Sequence, residues 1–167
     1  MNKVKSNAAS IVLVFVLATA AAVPARAQDH STRIFSAASG PDKCMGVKEV
    51  DLRHPFMAPC AGYAAQFWMV GPPNKLGFVR FKSKRTGSDV CLGVAAANPS
   101  TLIMAPCASV KNQQWMLTPT AQPHTYTVTS QLSGPGVCLG IRSNTGNAEL
   151  DMNACHNYPG QVWTITL

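Results

Sequence analysis

Beyond residue 30 the chain follows alternation of apolar and polar positions rather than a helical period. In residues 76–84, Val79 and Phe81 fall on one side of an extended strand and the basic Arg80, Lys82 and Lys84 on the other. Thr125–Ser130, which reads Thr-Tyr-Thr-Val-Thr-Ser, is rich in β-branched and aromatic residues. Trp68 with Val70, Trp115 with Leu117, and Trp163 with Ile165 share a face at period two. No sustained i, i+3, i+4 apolar pattern follows residue 30. The short alternating stretches are bounded by Gly, Pro, Asn and Ser. That is the pattern of an all-β chain of short strands.

The same positions return at a fixed distance. Ile34, Phe81 and Val128 are 47 residues apart, as are Cys44, Cys91 and Cys138, while Trp68, Trp115 and Trp163 step by 47 and 48. Each unit opens on Cys-x-Gly-(Val/Ile), places a second cysteine 16 or 17 positions on, and closes on Gln-x-Trp. Three repeats, about 31–73, 74–120 and 121–167, are therefore expected, with about four short strands each. The first strand ends near Ile34, Phe81 or Val128. The second starts at the first cysteine, the third carries Met57, Met104 or Met152, and the fourth follows Gln-x-Trp. One unit cannot bury its own apolar face. Three around an axis share a core of tryptophan and methionine and close a barrel without free sheet edges.

The first residues change the charge picture. Lys3 and Lys5 precede an uncharged apolar run at 11–23, followed by Pro24 and Ala25-Arg26-Ala27. This is the pattern of a signal peptide over 1–27, cleaved before Gln28. A membrane anchor is the alternative, but 13 apolar residues fall short of the roughly 18–20 that span a bilayer. No cysteine stands at the expected mature start, so a lipid-anchored form is not expected. The full chain of 167 residues has a formal charge of +7. Removing 1–27 leaves eleven basic and seven acidic side chains, a net +4. Residues 28–167 are enough for one domain. A secreted or periplasmic protein with no membrane span is the expected product.

All six cysteines lie after residue 27, two per repeat. An even count in an oxidising compartment reads as a disulfide framework. Because every unit carries its own pair at the same offset, the repeat selects Cys44 with Cys60, Cys91 with Cys107, and Cys138 with Cys155 among the alternatives. Zinc would need short CxxC or HxxxH spacings that are absent.

Three tandem units with a Cys pair and an in-register Gln-x-Trp resemble the ricin B-type lectin family, over roughly residues 33–167. The resemblance implies a β-trefoil and carbohydrate binding through shallow pockets, one per unit. In that family an aspartate two residues after the first cysteine accepts hydrogen bonds from sugar hydroxyls; here the positions are Gly46, Gly93 and Gly140. A Gln four before the second cysteine is replaced by Phe56, Ile103 and Asp151, and a Trp two before it by Ala58, Ala105 and Asn153. The asparagine preceding the closing Gln survives as Asn112 and is replaced by Ala65 and Gly160. The third unit keeps a polar set that includes Asn144, Glu149 and Asn157. Within it Asn147, Asp151, Asn153 and His156 are the candidate ligand-binding residues, with Asp151 and Asn153 as hydroxyl partners. The bland alternative is a set of Asn-rich turns. Tyr63, Tyr158 and Phe56 are the aromatic side chains at loop-like positions that could stack on a sugar ring.

No catalytic constellation stands out. The four histidines keep no repeated relation to a Ser, Cys or Asp, every cysteine belongs to an expected disulfide, and no glycine-rich phosphate loop occurs. No enzyme, cofactor or metal is expected. The basic stretch 75–85 would suit an anionic glycan, and its bland reading is a lysine-blunted strand; nucleic acid is not an expected partner. The expected function is a secreted, non-enzymatic carbohydrate- or glycoconjugate-binding module with degenerate pockets. The alternative is a non-catalytic cell-binding or protein-interaction subunit of a toxin-like complex, of the cytolethal distending toxin type. A trefoil protease inhibitor would use one exposed loop and fits the tripled motif less well.

Overall fold

A computed structural model of the protein describes residues 31–142 and 148–167; the signal peptide expected at 1–27 lies outside the described residues. Thirteen strands and three single-turn 3-10 helices are arranged as three similar units. The first has β1 Ser31–Thr32, β2 Ile34–Ser36, β3 Lys43–Val47, β4 Pro55–Pro59 and β5 Trp68–Val70. The second has β6 Phe81–Ser83, β7 Val90–Ala95, β8 Asn98–Pro106 and β9 Trp115–Pro119. The third has β10 Thr125–Ser130, β11 Val137–Ile141, β12 Leu150–Ala154 and β13 Trp163–Ile165. A 3-10 helix, Ala64–Gln66, Lys111–Gln113 or Pro159–Gln161, precedes each tryptophan.

Six staves close a barrel. The β1–β2 segment pairs with β5, β5 with β6, β9 with β10, β10 with β13, and β13 with β2, all antiparallel. The ring is completed between Val79 and Trp115, whose backbone groups exchange hydrogen bonds of 2.8 and 3.0 Å. Three hairpins, β3/β4, β7/β8 and β11/β12, complete the architecture. They are tied to one another: the Met57 N–H donates to the Ala148 carbonyl at 2.8 Å and the Met104 N–H to the Arg53 carbonyl at 2.7 Å. This is the expected all-β trefoil.

The alternation explains the core. Ile34, Phe81 and Val128 point inward, as do Met57, Met104 and Met152 and the three tryptophans, each 0 % exposed. Indole is large and apolar with one N–H that needs a partner when buried. Each repeat solves this alike: Trp68 donates to Met45 O at 2.8 Å, Trp115 to Leu92 O at 2.9 Å, and Trp163 to Leu139 O at 2.9 Å. The disulfides Cys44–Cys60, Cys91–Cys107 and Cys138–Cys155 staple each hairpin to the segment that leaves it.

One element is shorter than the alternation predicts. Regular pairing at 76–84 covers only Phe81–Ser83 with the Val79 bridge. Ahead of it the Asn74 carboxamide accepts hydrogen bonds from the N–H groups of Leu76 and Phe78, at 2.9 and 3.0 Å. Gly77 takes φ +84, so the chain turns where the apolar pattern alone would extend it.

Candidate functional site

The face of each hairpin that carries the first cysteine is where the resemblance places a ligand. Cross-strand partners share a face. In β11/β12 the pairs are Gly140 with Asp151 and Cys138 with Asn153. The equivalent pairs are Gly46 with Phe56 and Cys44 with Ala58 in β3/β4, and Gly93 with Ile103 and Cys91 with Ala105 in β7/β8. Phe56 therefore lies on a strand, not in a loop. Of the three equivalent positions opposite the glycine, only the third carries a charge.

Each 3-10 helix folds over the glycine. A Cβ on Gly46 would lie 3.1 Å from Gln66 Cγ, and one on Gly93 3.0 Å from Gln113 Cγ and 3.1 Å from the Asn112 carbonyl oxygen. On Gly140 it would meet the Tyr158 hydroxyl at 2.8 Å and Gln161 Cγ at 3.2 Å. A side chain at these positions would fit only if the covering glutamine, or at Gly140 the Tyr158 hydroxyl, gave way. The glutamine that closes over each glycine is itself buried and hydrogen-bonded through both the oxygen and the nitrogen of its carboxamide. Gln66, Gln113 and Gln161 accept from the N–H of Ala61, Ala108 and His156 at 2.6, 2.7 and 2.8 Å. They donate to the carbonyls of Pro59, Pro106 and Ala154, each at 2.8 Å. These glutamines clasp the residues on either side of the second cysteine.

The residues beside them differ between repeats. Asn112 turns inward and donates to the Val94 carbonyl at 2.8 Å. At the matching place in the third repeat the Tyr158 hydroxyl reaches the Ile141 carbonyl at 3.5 Å. Tyr158 thus lies across Gly140 on the face that holds Asp151. Burial, and after it the negative charge of Asp151, push the Tyr158 phenol above its ordinary pKa.

Asp151 is the centre of the candidate site in the third repeat. Its side chain is only 7 % exposed, and Oδ2 accepts from Arg142 Nε at 3.3 Å. Arg142 Nη1 also donates to Glu149 Oε2 at 3.2 Å, and the Arg142 N–H to the Glu149 carbonyl at 2.8 Å. Asp151 Oδ1 is buried and finds no hydrogen-bond partner among the described residues. A buried acceptor left in this state is costly unless a donor arrives.

Of the other candidates, Asn153 is exposed two residues along the same face of β12. His156 uses its backbone N–H to hold Gln161, and the residue is exposed. Asn147 and Asn144 lie outside the described residues. Arg142 is the member that sequence reasoning missed. The signal was available in the hairpin register, because residue 142 falls opposite 149 once Ile141 pairs with Leu150.

The basic stretch disperses rather than converging. Arg80 Nη2 donates to Ser109 Oγ at 3.2 Å and Arg85 Nε to Glu49 Oε2 at 2.8 Å. Lys82 lines a separate groove of about 730 Å³ with Met69, Val70, Leu117 and Tyr126, and none of the candidates among the described residues faces it. Among the described residues no group of three or more His, Cys, Asp or Glu is placed to hold a metal ion. Among the same residues no helix is long and apolar enough to cross a membrane.

Solved structures share this architecture. The designed threefold-symmetric protein ThreeFoil superposes with a TM-score of 0.70 at 18 % identity, covering 82 % of this chain and 98 % of that one. A lectin of Macrolepiota procera, ricin B-like and solved with lactose, gives 0.67 at 14 % identity, covering 82 % and 94 %. The Haemophilus ducreyi cytolethal distending toxin gives 0.65 at 16 % identity, covering 89 % of each chain. At such identities the likeness is one of fold. A comparison with curated protein sequences finds no match. The family model for the ricin-type beta-trefoil lectin domain matches residues 78–167, more than half of the chain. With its tripled Gln-x-Trp clasp, one disulfide per repeat and a closed trefoil barrel, the chain belongs to the ricin-type β-trefoil lectin family.

Proposed function

We propose that the protein is a secreted, non-enzymatic module that binds a carbohydrate or glycoconjugate, and that its working pocket is in the third repeat. The observation that carries this reading is Asp151: a nearly buried carboxylate with an unsatisfied oxygen, beside an aromatic ring, on the hairpin face the family uses. Sugar hydroxyls are the donors such an oxygen lacks, and the Tyr158 ring supplies an apolar surface beside it. The first two repeats carry Phe56 and Ile103 at the equivalent position, so their pockets are degenerate. Export rests on the leader pattern in residues 1–27 and suits a chain with three disulfides. A glycan array probed with the mature protein tests the reading. Retention of one glycan class, lost on Asp151→Ala, supports it; silence across neutral and acidic glycans overturns it.

A second reading, a subunit that docks a partner protein, is favoured by one observation. The likeness to the H. ducreyi toxin spans 89 % of both chains. Apolar Phe56 and Ile103 would then serve contact rather than sugar binding. Affinity purification from culture medium distinguishes the two: a stoichiometric partner supports the subunit reading and a solitary monomer ends it.

A further inference from the structure

The end of the barrel away from the hairpins has a chemistry of its own. Thr32, Val79 and Tyr126 are 47 residues apart and pair across the strands with Trp68, Trp115 and Trp163. They occupy one threefold position, from which each chain segment runs on toward its hairpin. Thr32 and Val79 are too small to fill the space that a tyrosine takes at the third place, and a groove of about 730 Å³ lies there. Val70 and Leu117, each two residues beyond a tryptophan on the same face, form its half-buried apolar wall. The volume is that of a small-molecule site, which takes roughly 300–1,000 Å³.

The same groove reaches the outer face of the barrel. Met69 and Lys82 also line it, and they are cross-strand partners that point outward because their neighbours Trp68 and Phe81 point in. Between the two faces lie Gly71, Pro72 and Pro73. The Gly71 N–H is spent on the Arg80 carbonyl at 2.9 Å, and the prolines have no N–H, so this rim presents a passing hydrocarbon with no unpaired backbone donor. Lys82 is half-buried and is the one charged side chain of the lining among the described residues. Among those residues its ammonium has no ion-pair or hydrogen-bond partner.

From this arrangement we infer that the groove binds a medium-chain fatty acid, its hydrocarbon against Val70, Val79 and Leu117 and its carboxylate on Lys82 Nζ. The head group carries one charge because a single lysine, a point charge without a guanidinium fork, receives it. A carboxylate supplies the charge-assisted partner that the ammonium lacks. The wall and the cation lie at different places along one groove, which suits a ligand with an apolar body and a charged end. Asp151 is not part of the lining, so this site is independent of the saccharide reading.

The test is calorimetric titration of the intact disulfide-bonded protein, below micellar concentrations, with hexanoate, octanoate and decanoate, and with 1-octanol and octylammonium as head-group controls. Affinity should rise about twofold to fourfold per added methylene. Octanoate should bind about threefold or more tighter than either control. Lys82→Gln should abolish that preference and leave the binding of 1-octanol unchanged, and Lys82→Glu should place octylammonium above octanoate. A measurement on the unaltered protein needs no variant: octanoate should shift the methyl resonances of Val70, Val79 and Leu117 and leave that of Met152, in the third hairpin, in place. Absence of saturable binding, equal affinity for the three head groups, or shifts confined to other residues overturns the inference. So does a concentration-dependent dimer that Leu117→Asp dissolves and octanoate does not, because the groove then belongs to a second copy of the chain. Each of these failures leaves the saccharide reading untouched.

Discussion

Gln113 is 2 % exposed and touches both sides of Cys107, accepting from Ala108 N–H and donating to the Pro106 carbonyl. Truncating it strands a donor and an acceptor in a region closed to water, and each such loss costs about 1–3 kcal/mol. Gln113→Ala should therefore destabilise the fold by about 2–4 kcal/mol in denaturant titration; a loss within about 0.5 kcal/mol would contradict the clasp. Restoring the family's acid on the same hairpin should be opposed by crowding. In Gly93→Asp the new Cβ meets Gln113 Cγ and the Asn112 oxygen. Overpacking of this kind costs about 1–3 kcal/mol, and glycan titration should show no gain of binding in the second repeat. Asp51 gives a pH signature. Its carboxylate accepts from the Arg53 and His54 N–H groups at 2.8 and 3.3 Å and faces His54 Nδ1 at 2.6 Å. The Arg53 backbone bond first, then the His54 side chain, hold its pKa at about 2 against an ordinary 3.8. A depressed folded pKa stabilises above about 3.8, and that contribution is lost as pH falls through about 2. Asp51→Asn should flatten the melting temperature against pH in that window, and parallel curves for the two proteins would refute the assignment.

The strands and hairpins were largely legible, because apolar alternation and the 47-residue period both follow from one buried face per strand. Phe81 and Val128 fall on strands in the structure as in the pattern. The turn at Asn74 was not legible, since it depends on one side chain capping two backbone N–H groups within an otherwise strand-like run. Another periodic feature went unread: Ser36, Ser83 and Ser130 are buried and also 47 apart. Ser36 Oγ donates to Pro159 O at 3.2 Å and Ser83 Oγ to Ala65 O at 3.4 Å, joining the first strand of one repeat to the 3-10 helix of another. Small polar residues carry no hydrophobic signal, so their periodicity is hidden by the louder cysteines and tryptophans. The staples act on single hairpins. Replacing Cys91 and Cys107 together by Ser opens a loop with a sequence separation of 16. Chain-entropy reasoning puts the loss at about 3 kcal/mol. Denaturant titration should return a loss of that order with the other two bridges intact by peptide mapping, and an unchanged midpoint would contradict it.

Threefold repetition builds the barrel and its cap, while the proposed site lies where the repetition breaks. Position 151 could be read from the sequence as polar, and its placement on the family's hairpin face followed from the register. Its burial, its pairing with Arg142 and the position of Tyr158 over Gly140 could not, because they arise from how the 3-10 helix Pro159–Gln161 closes over β11. The same closure in the first two repeats covers Gly46 and Gly93 and leaves Phe56 and Ile103 opposite them. A molecule with three nearly equivalent scaffolds is thus assigned a single polar site. The number of saccharides bound per chain is the most direct measure of that assignment. Calorimetric titration of the mature protein with a neutral saccharide that it retains should give one site per chain, abolished by Asp151→Ala and unchanged by Phe56→Ala. Three equivalent sites, or one site that survives Asp151→Ala, would contradict it.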